Sequence, residues 1–390
     1  MKKKSDNLIV IIGNGFDLAH KLETGFSHFA EYYKNIIINN LKSLTEKETN
    51  NLSDIFFHFY NSPTYYQNEL SYNKEEKTEL FILVNLIKNG DEKEIEVIIN
   101  KNIDWILSFI LKNKFLGKLY SNSYSNWFDI EQAYYFELCE ILKSSYNHKE
   151  KLKELNINFE EIKKVFKNYL SNEIYSIRDN KIHYSIGKHF SKRKNITIVN
   201  FNYTDTISHY LNFTHRITNI HIHNKLDEDI IFGYGDDTDE NYKKMKDSKE
   251  KEYLRNFKTF NYLVSTNNRK VLNELSVKDN YDVLVIGHSL DTTDKTILKK
   301  ILDTNKCDYI ELLKRSDLEN EEEKKEAHFE LHANLARIFD SESDLREKLI
   351  PFEWSVNFPI MTQIDENIII KRNKELYLKK RTRAFTTVNN

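Results

Sequence analysis

Asn7-Leu-Ile-Val-Ile-Ile-Gly13-Asn14-Gly15-Phe16-Asp17 is a short apolar run, rich in β-branched residues, that breaks at two glycines. A helical pattern, Asp17-Leu18-Ala19-His20, follows at once. A run of this length and composition reads as a strand buried on both faces. Strand, glycine turn and helix together form the opening of a nucleotide-binding α/β domain. Glycine there permits tight backbone geometry and lets a phosphate approach N–H groups at the helix N-terminus. Two glycines after a strand also make an ordinary turn, so the rest of the chain decides.

The loop departs from the dinucleotide fingerprint. Leu18 stands where the third glycine of G-x-G-x-x-G belongs, and the segment about twenty residues on, Phe26-Ser-His-Phe-Ala-Glu-Tyr-Tyr33, is aromatic and helical in pattern. It offers no second strand ending in a ribose-binding acid, which disfavours a dehydrogenase.

Further along, apolar runs at 195–200, 217–223, 230–235, 281–287 and 308–313 read as strands. Residues 206–211, 294–302 and 318–339 read as helices between or after them. Strands alternating with helices predict a Rossmann-like α/β fold with a mostly parallel sheet and ligands at the carboxyl ends of its strands. The texture differs between Thr24 and Lys188, where 78–87, 104–111 and 159–170 carry helical periodicity. The expected organisation is a discontinuous nucleotide-binding domain at 1–24 and 189–350, a large α-helical insertion at 25–188 after the first strand-helix unit, and a basic tail at 351–390. Within that tail 367–370 reads as an edge strand and 371–383 as a basic run.

Composition narrows the function classes. Apolar residues make up 39% of the 390-residue chain and charged residues 30%, and the mean hydropathy is -0.64. No apolar run approaches the roughly 20 residues that span a bilayer, so no membrane partner is expected. Met1-Lys-Lys-Lys precedes an apolar stretch, yet that stretch ends in Gly-Asn-Gly-Phe-Asp without a small-residue cleavage site and reads as the first strand. The formal charge of -2 gives no global basis for nucleic-acid binding, although the basic tail leaves it open. Two cysteines, Cys139 and Cys307, build neither a disulfide framework nor a cysteine-rich zinc site.

Polar residues gather where strands end. Val199-Asn200-Phe201-Asn202-Tyr203-Thr204-Asp205 places several at a strand-to-helix junction, where Thr204 and Asp205 either cap the helix or face a ligand. His221 and His223 lie two apart on an expected strand and so share a face. Spacing supplies no third ligand, so no metal is expected; one histidine as a general base fits better. Ile286-Gly287-His288-Ser289-Leu290-Asp291 permits two readings. One is a nucleophile elbow with His328 or His332 as base, although Asp291 stands where that elbow has glycine. The other is a nucleotide-binding turn with Ser289 near phosphate or ribose and Asp294 near the helix start.

Taken in order, Ile12-Gly13-Asn14-Gly15-Phe16-Asp17-Leu18-Ala19, Phe201-Asn202-Tyr203-Thr204-Asp205, His221-Ile222-His223 and Gly287-His288-Ser289-Leu290 with Asp294 resemble the AbiH family of bacterial abortive-infection proteins. Trp127-Phe128-Asp129-Ile130-Glu131 is similar to that family's aromatic-acidic motif. The resemblance implies anti-phage defence in a bacterial cytoplasm. More remotely, the glycine loop, Asn202 and His223 resemble the glycine loop, catalytic asparagine and catalytic histidine of sirtuin-like domains, which cleave the nicotinamide glycosidic bond of NAD. On that similarity the expected activity is NAD-glycohydrolase-like, on NAD or a related nucleotide as substrate or ligand. Asn202, His223 and Asp17 are then the catalytic residues. Gly13, Asn14, Gly15, Phe16, Thr204, Asp205, Gly287, His288, Ser289 and Asp294 hold the nucleotide. Thr204 stands where sirtuin-like domains have an acid at the nicotinamide, which motivates a second reading, a non-catalytic nucleotide sensor. A nuclease using His221, His223 and Asp227 or Asp229 is a third. A phage-derived trigger and a second copy of the chain are the further partners expected.

Overall fold

A computed structural model describes residues 5–20, 22–43, 51–53, 58–60, 97, 111–121, 127–144, 147–174, 190, 193–213, 217–314 and 320–358. The expected helix at 78–87, nearly all of that at 104–111, and the tail features at 367–370 and 371–383 lie outside these residues. The chain divides into two compact units, Met1–Thr24 with Leu170–Lys249 and Asn256–Asn390, and Gly25–Tyr169 with Glu250–Arg255.

The first unit carries a five-stranded, all-parallel sheet. Its strands are β1 (Asn7–Ile12), β2 (Asn195–Asn200), β3 (Ile217–His221), β4 (Tyr281–Ile286) and β5 (Cys307–Leu312), in the order β3-β2-β1-β4-β5. The fold is a Rossmann-like α/β fold, as the alternation of apolar runs predicts. β1 is central because it is apolar on both faces. Ile9 and Ile11 pack with Val199, Val283 and Val285 on one side. Leu8, Val10 and Ile12 pack with Ile196, Ile198, Leu284 and Ile286 on the other. The period of two thus feeds two separate cores, each buried Val, Leu or Ile contributing about 1.5–3 kcal/mol of apolar burial.

Register follows the pairing of like faces: Ile9 lies opposite Thr197 on β2 and Val283 on β4, and Ile12 opposite Asn200 and Ile286. β4 connects to β5 through a 3-10 turn (Thr292–Asp294) and a helix, Lys295–Leu302, whose Ile297, Leu298, Ile301 and Leu302 are buried in the first core. The order of strands reverses between β1 and β4, so the crevice outside their carboxyl ends is where such folds bind ligands.

One expected strand is absent. Residues 230–235 are buried, but Gly233 has φ +150, a Cβ there would stand 1.8 Å from the Asn256 carbonyl, and the segment makes only an isolated bridge, Tyr234 with Phe257. Apolar content there marks burial against a neighbouring loop rather than a place in the sheet.

The second unit is mostly helical among its described residues: Phe26–Ser43, Lys114–Ser121, Trp127–Lys143 and His148–Tyr169. The expected helix at 159–170 is part of the last, which buries Leu152, Leu155, Phe159, Ile162 and Phe166 along one face. The Trp127 to Glu131 motif begins the third. A short antiparallel hairpin, Asn51–Ser53 with His58–Tyr60, is the exception to helix.

Candidate functional site

The loops after β1 and β4 meet at the switch point. Gly13 N donates to the Ile286 carbonyl at 3.1 Å, Gly15 N to the Gly287 carbonyl at 2.8 Å, and Phe16 N to the Gly13 carbonyl at 2.9 Å. A Cβ on Gly13 would stand 2.6 Å from His288 Cα, and one on Gly15 2.8 Å from Gly287 Cα. Gly287 has φ +67, and its Cβ would stand 2.3 Å from Phe16 N. All three glycines therefore have a packing reason of their own, and three amides expected to be open to a phosphate donate within the protein. Phe16 is fully buried with its ring centroid 4.5 Å from that of His20 and 5.7 Å from that of Tyr210, so it serves the core. Asn14 Oδ1 accepts from Thr24 Oγ1 at 2.5 Å.

Around this junction lie two polar clusters. In the first, the buried Asp17 carboxylate accepts from the Thr204 hydroxyl through Oδ2, and Thr206 Oγ1 lies 3.3 Å from Thr204 Oγ1. Asp17 Oδ1 is buried with no hydrogen-bond partner. Burial raises the Asp17 pKa to about 6, against smaller opposing contributions from Thr204, Thr206, Asn202 and His221. Asn202 ties the loops: its Nδ2 donates to the Gly13 carbonyl at 3.0 Å, its main-chain N–H to Asn200 Oδ1 at 2.9 Å, and its carbonyl accepts from His221 Nδ1 at 3.0 Å. A carbonyl only accepts, so that nitrogen carries the proton. His221 Nε2 lies 3.2 Å from both Asp205 Oδ1 and Asn219 Nδ2. Thr204 and Asp205, possible caps by sequence, thus turn their side chains to Asp17 and His221.

The second cluster is built on Asp294. His223 Nε2 lies 3.0 Å from Asp294 Oδ1 and 3.2 Å from the Tyr262 hydroxyl. Lys258, 1% exposed, donates from Nζ to the same Asp294 oxygen at 2.9 Å. Leu290 N donates to His288 Nδ1 at 2.9 Å, so His288 carries its proton on Nε2, 3.6 Å from Asp294 Oδ2. Phe201 stands edge-on to both imidazoles, with centroids 5.2 Å from His223 and 4.3 Å from His288. Burial lowers the His223 pKa and holds the ring neutral, outweighing the attraction of Asp294. Burial alone would raise the Asp294 carboxyl; Lys258, His223 and His288 reverse this and hold it well below the usual carboxylate range.

His221 and His223 do not act as a pair. β3 ends at His221, and the two rings bond to different partners, Asn202, Asn219 and Asp205 for one and Asp294 and Tyr262 for the other. Among the described residues no group of three His, Cys, Asp or Glu side chains is placed to hold a metal ion. The nucleophile-elbow reading gains no support from the contacts of this turn. The Ser289 carbonyl accepts from Asn334 Nδ2 at 2.9 Å and Asp291 caps the turn at Thr293 N, while His328 and His332 stand edge-on to one another with Nε2 atoms that have no hydrogen-bond partner.

A family model, bacteriophage abortive infection AbiH, matches residues 9–314. The chain belongs to the AbiH family. With that membership goes a role in abortive infection against bacteriophage. The match takes in both glycine loops, Asp17, Asn202, His223, Lys258 and Asp294. A comparison with curated proteins finds no match to the chain. Among the described residues no helix is long and apolar enough to cross a membrane.

Lys258 and Tyr262 are the residues that sequence reasoning missed. A lysine gives no local sign that it will be buried; the one available signal is that Phe257-Lys258-Thr259-Phe260 interrupts an aromatic segment with a single cation.

Proposed function

We propose that the parallel-sheet unit is a nucleotide-processing effector that hydrolyses the N-glycosidic bond of NAD or a related nucleotide. The observation that carries this reading is the buried His223–Asp294 pair beside the switch-point loops. Asp294 accepts from Nε2–H of His223, which leaves the basic lone pair on Nδ1, and no described residue hydrogen-bonds to that nitrogen. A neutral imidazole with a fixed tautomer is a base suited to neutral pH.

In the reaction, the oxygen of water bonds to C1′ of the ribose as the bond from C1′ to the nicotinamide nitrogen breaks. The bonding pair leaves with nicotinamide, and the water proton passes to His223 Nδ1 and then to solvent. The transition state is oxocarbenium-like, with positive charge on the sugar. Asp17, with an unpartnered carboxylate oxygen, is the acceptor for a ribose hydroxyl in this reading. Asn202 acts as a positioning residue, its Nδ2 tying the loop after β2 to the Gly13 carbonyl. His288 and Lys258 hold Asp294 ionised, and Ser289 lies at the ligand's far side.

The test is chromatography of nicotinamide released from NAD by purified wild-type and His223→Gln protein, with and without lysate from phage-infected cells. Loss of a positioned acid–base group costs about 10²–10⁴-fold in rate. Release by wild type and not by the folded variant supports the reading; equal release, or none in any condition, contradicts it. Thr204, which stands where sirtuin-like domains have an acid and whose hydroxyl is turned to Asp17, favours one alternative, a nucleotide sensor. It predicts calorimetric binding without release.

A further inference from the structure

The helix Glu321–Ile338 carries His328 and His332 one turn apart, so both rings lie on one face. Their centroids are 4.8 Å apart, and the His328 ring stands 5.0 Å from that of Phe352. His328 is 3% exposed and His332 is partly buried, and the Nε2 atoms of both are shielded from solvent with no hydrogen-bond partner. An unsatisfied buried polar atom costs about 1–3 kcal/mol, and native structures hold few of them. Of the six such atoms among the described residues, two sit on these neighbouring rings.

Both rings line a groove of about 460 Å³ together with Glu322, Glu326, Glu353, Lys325 and Phe352. Three carboxylates face two ammoniums, Lys325 in the lining and Lys314 at 4.1 Å over the Phe352 ring, which leaves the groove a net negative charge that favours a cation. Burial lowers both imidazole pKa values, that of His328 to about 4, so both rings are neutral at pH 7, the state that coordinates metal. Imidazole is a ligand for zinc, nickel, copper and cobalt, and two histidines four apart on one helix face recur in zinc sites.

We propose that His328 and His332 are protein ligands of a divalent transition-metal ion bound in this groove. No third described side chain is placed to close on the ion, so the remaining positions fall to water or to a groove carboxylate that rotates inward. The inference stands independently of the glycosidic chemistry. The same helix is tied to the candidate site through Asn334, whose Nδ2 donates to the Ser289 carbonyl, so a bound ion would brace the helix that holds that loop.

The test is calorimetric titration of tag-free, full-length protein, stripped with chelator, with Zn²⁺ and Ni²⁺ in separate runs. Wild type should take up one equivalent. Loss of partners outside the ligand shell already costs about 10–100-fold in affinity, so His332→Gln should weaken binding at least about tenfold and the double variant with His328→Gln should abolish it. His332 is the less buried of the two, so this variant, checked for unchanged circular dichroism, decides the matter even if His328→Gln fails to fold. Equal isotherms for wild type and a folded His332→Gln protein overturn the proposal. So does absence of metal binding, or binding of inorganic phosphate in place of metal.

Discussion

Asp17→Asn separates a functional carboxylate from a structural one. Asp17 is buried, one of its oxygens has no partner, and its pKa is raised from an ordinary 3.8 to about 6. As pH rises, the unfolded chain releases this proton before the folded one. Stability therefore falls through the window from 3.8 to about 6, and the cost is fully present above it. A shift of about two units corresponds to about 3 kcal/mol, of which about 2 kcal/mol accrues between pH 4.5 and pH 7.5. Asparagine keeps an oxygen for the Thr204 hydroxyl and does not ionise. The variant's stability relative to wild type should consequently rise by about 2 kcal/mol between those two pH values, whatever constant offset the amide introduces. Urea unfolding of both proteins at both pH values measures this directly. A difference between variant and wild type that is the same at pH 4.5 and 7.5 would show that the Asp17 pKa is not raised by folding. The prediction bears on function because a carboxylate that destabilises the fold at neutral pH is retained for something other than stability.

Three further outcomes follow from the same geometry. Lys258→Met strands the buried Asp294 carboxylate and should cost about 3–5 kcal/mol at pH 7 in urea unfolding, because removing one member of a buried pair leaves an uncompensated charge. Since the Asp294 pKa is depressed, that loss should shrink on acidification as the carboxyl protonates; a loss under about 1 kcal/mol at every pH contradicts a dry ion pair. Gly287→Ala forces a side chain into φ +67 and against Phe16 N, so it should cost more than about 2 kcal/mol, the conformation alone accounting for about 1–2. Gly117→Ala, in the helix Lys114–Ser121 with nothing within 4 Å of the new Cβ, should instead gain about 0.5–1 kcal/mol; the reverse ranking of the two variants in thermal melts would show the loop contacts to be misread.

The sheet was legible because burial on both faces leaves a continuous apolar signal. Residues 8–12, 196–199 and 283–286 are each long enough for a strand and too short for a helix, and each is a strand. The same signal misled at 230–235, where Ile230, Ile231 and Phe232 are buried by a loop that Gly233 bends and the Asn256 carbonyl crowds. The glycines of the two turns stood out, but their reason did not: only the folded chain shows that Gly13 and Gly15 face Gly287 and His288 across 272 to 275 residues of sequence. His223 and Asp294 were both singled out by their places at strand and helix ends. Their bond, and the buried Lys258 that shares the carboxylate, depend on a chain path between β3 and β4 that periodicity does not encode.

The proposed chemistry puts the His223–Asp294 pair behind phage defence. The most direct measurement is the NAD content of phage-infected cells producing wild-type or His223→Gln protein at equal levels, scored beside plaque formation. NAD depletion, with nicotinamide appearing, and protection should occur in wild type alone. Protection by the His223→Gln protein with NAD unchanged would contradict it.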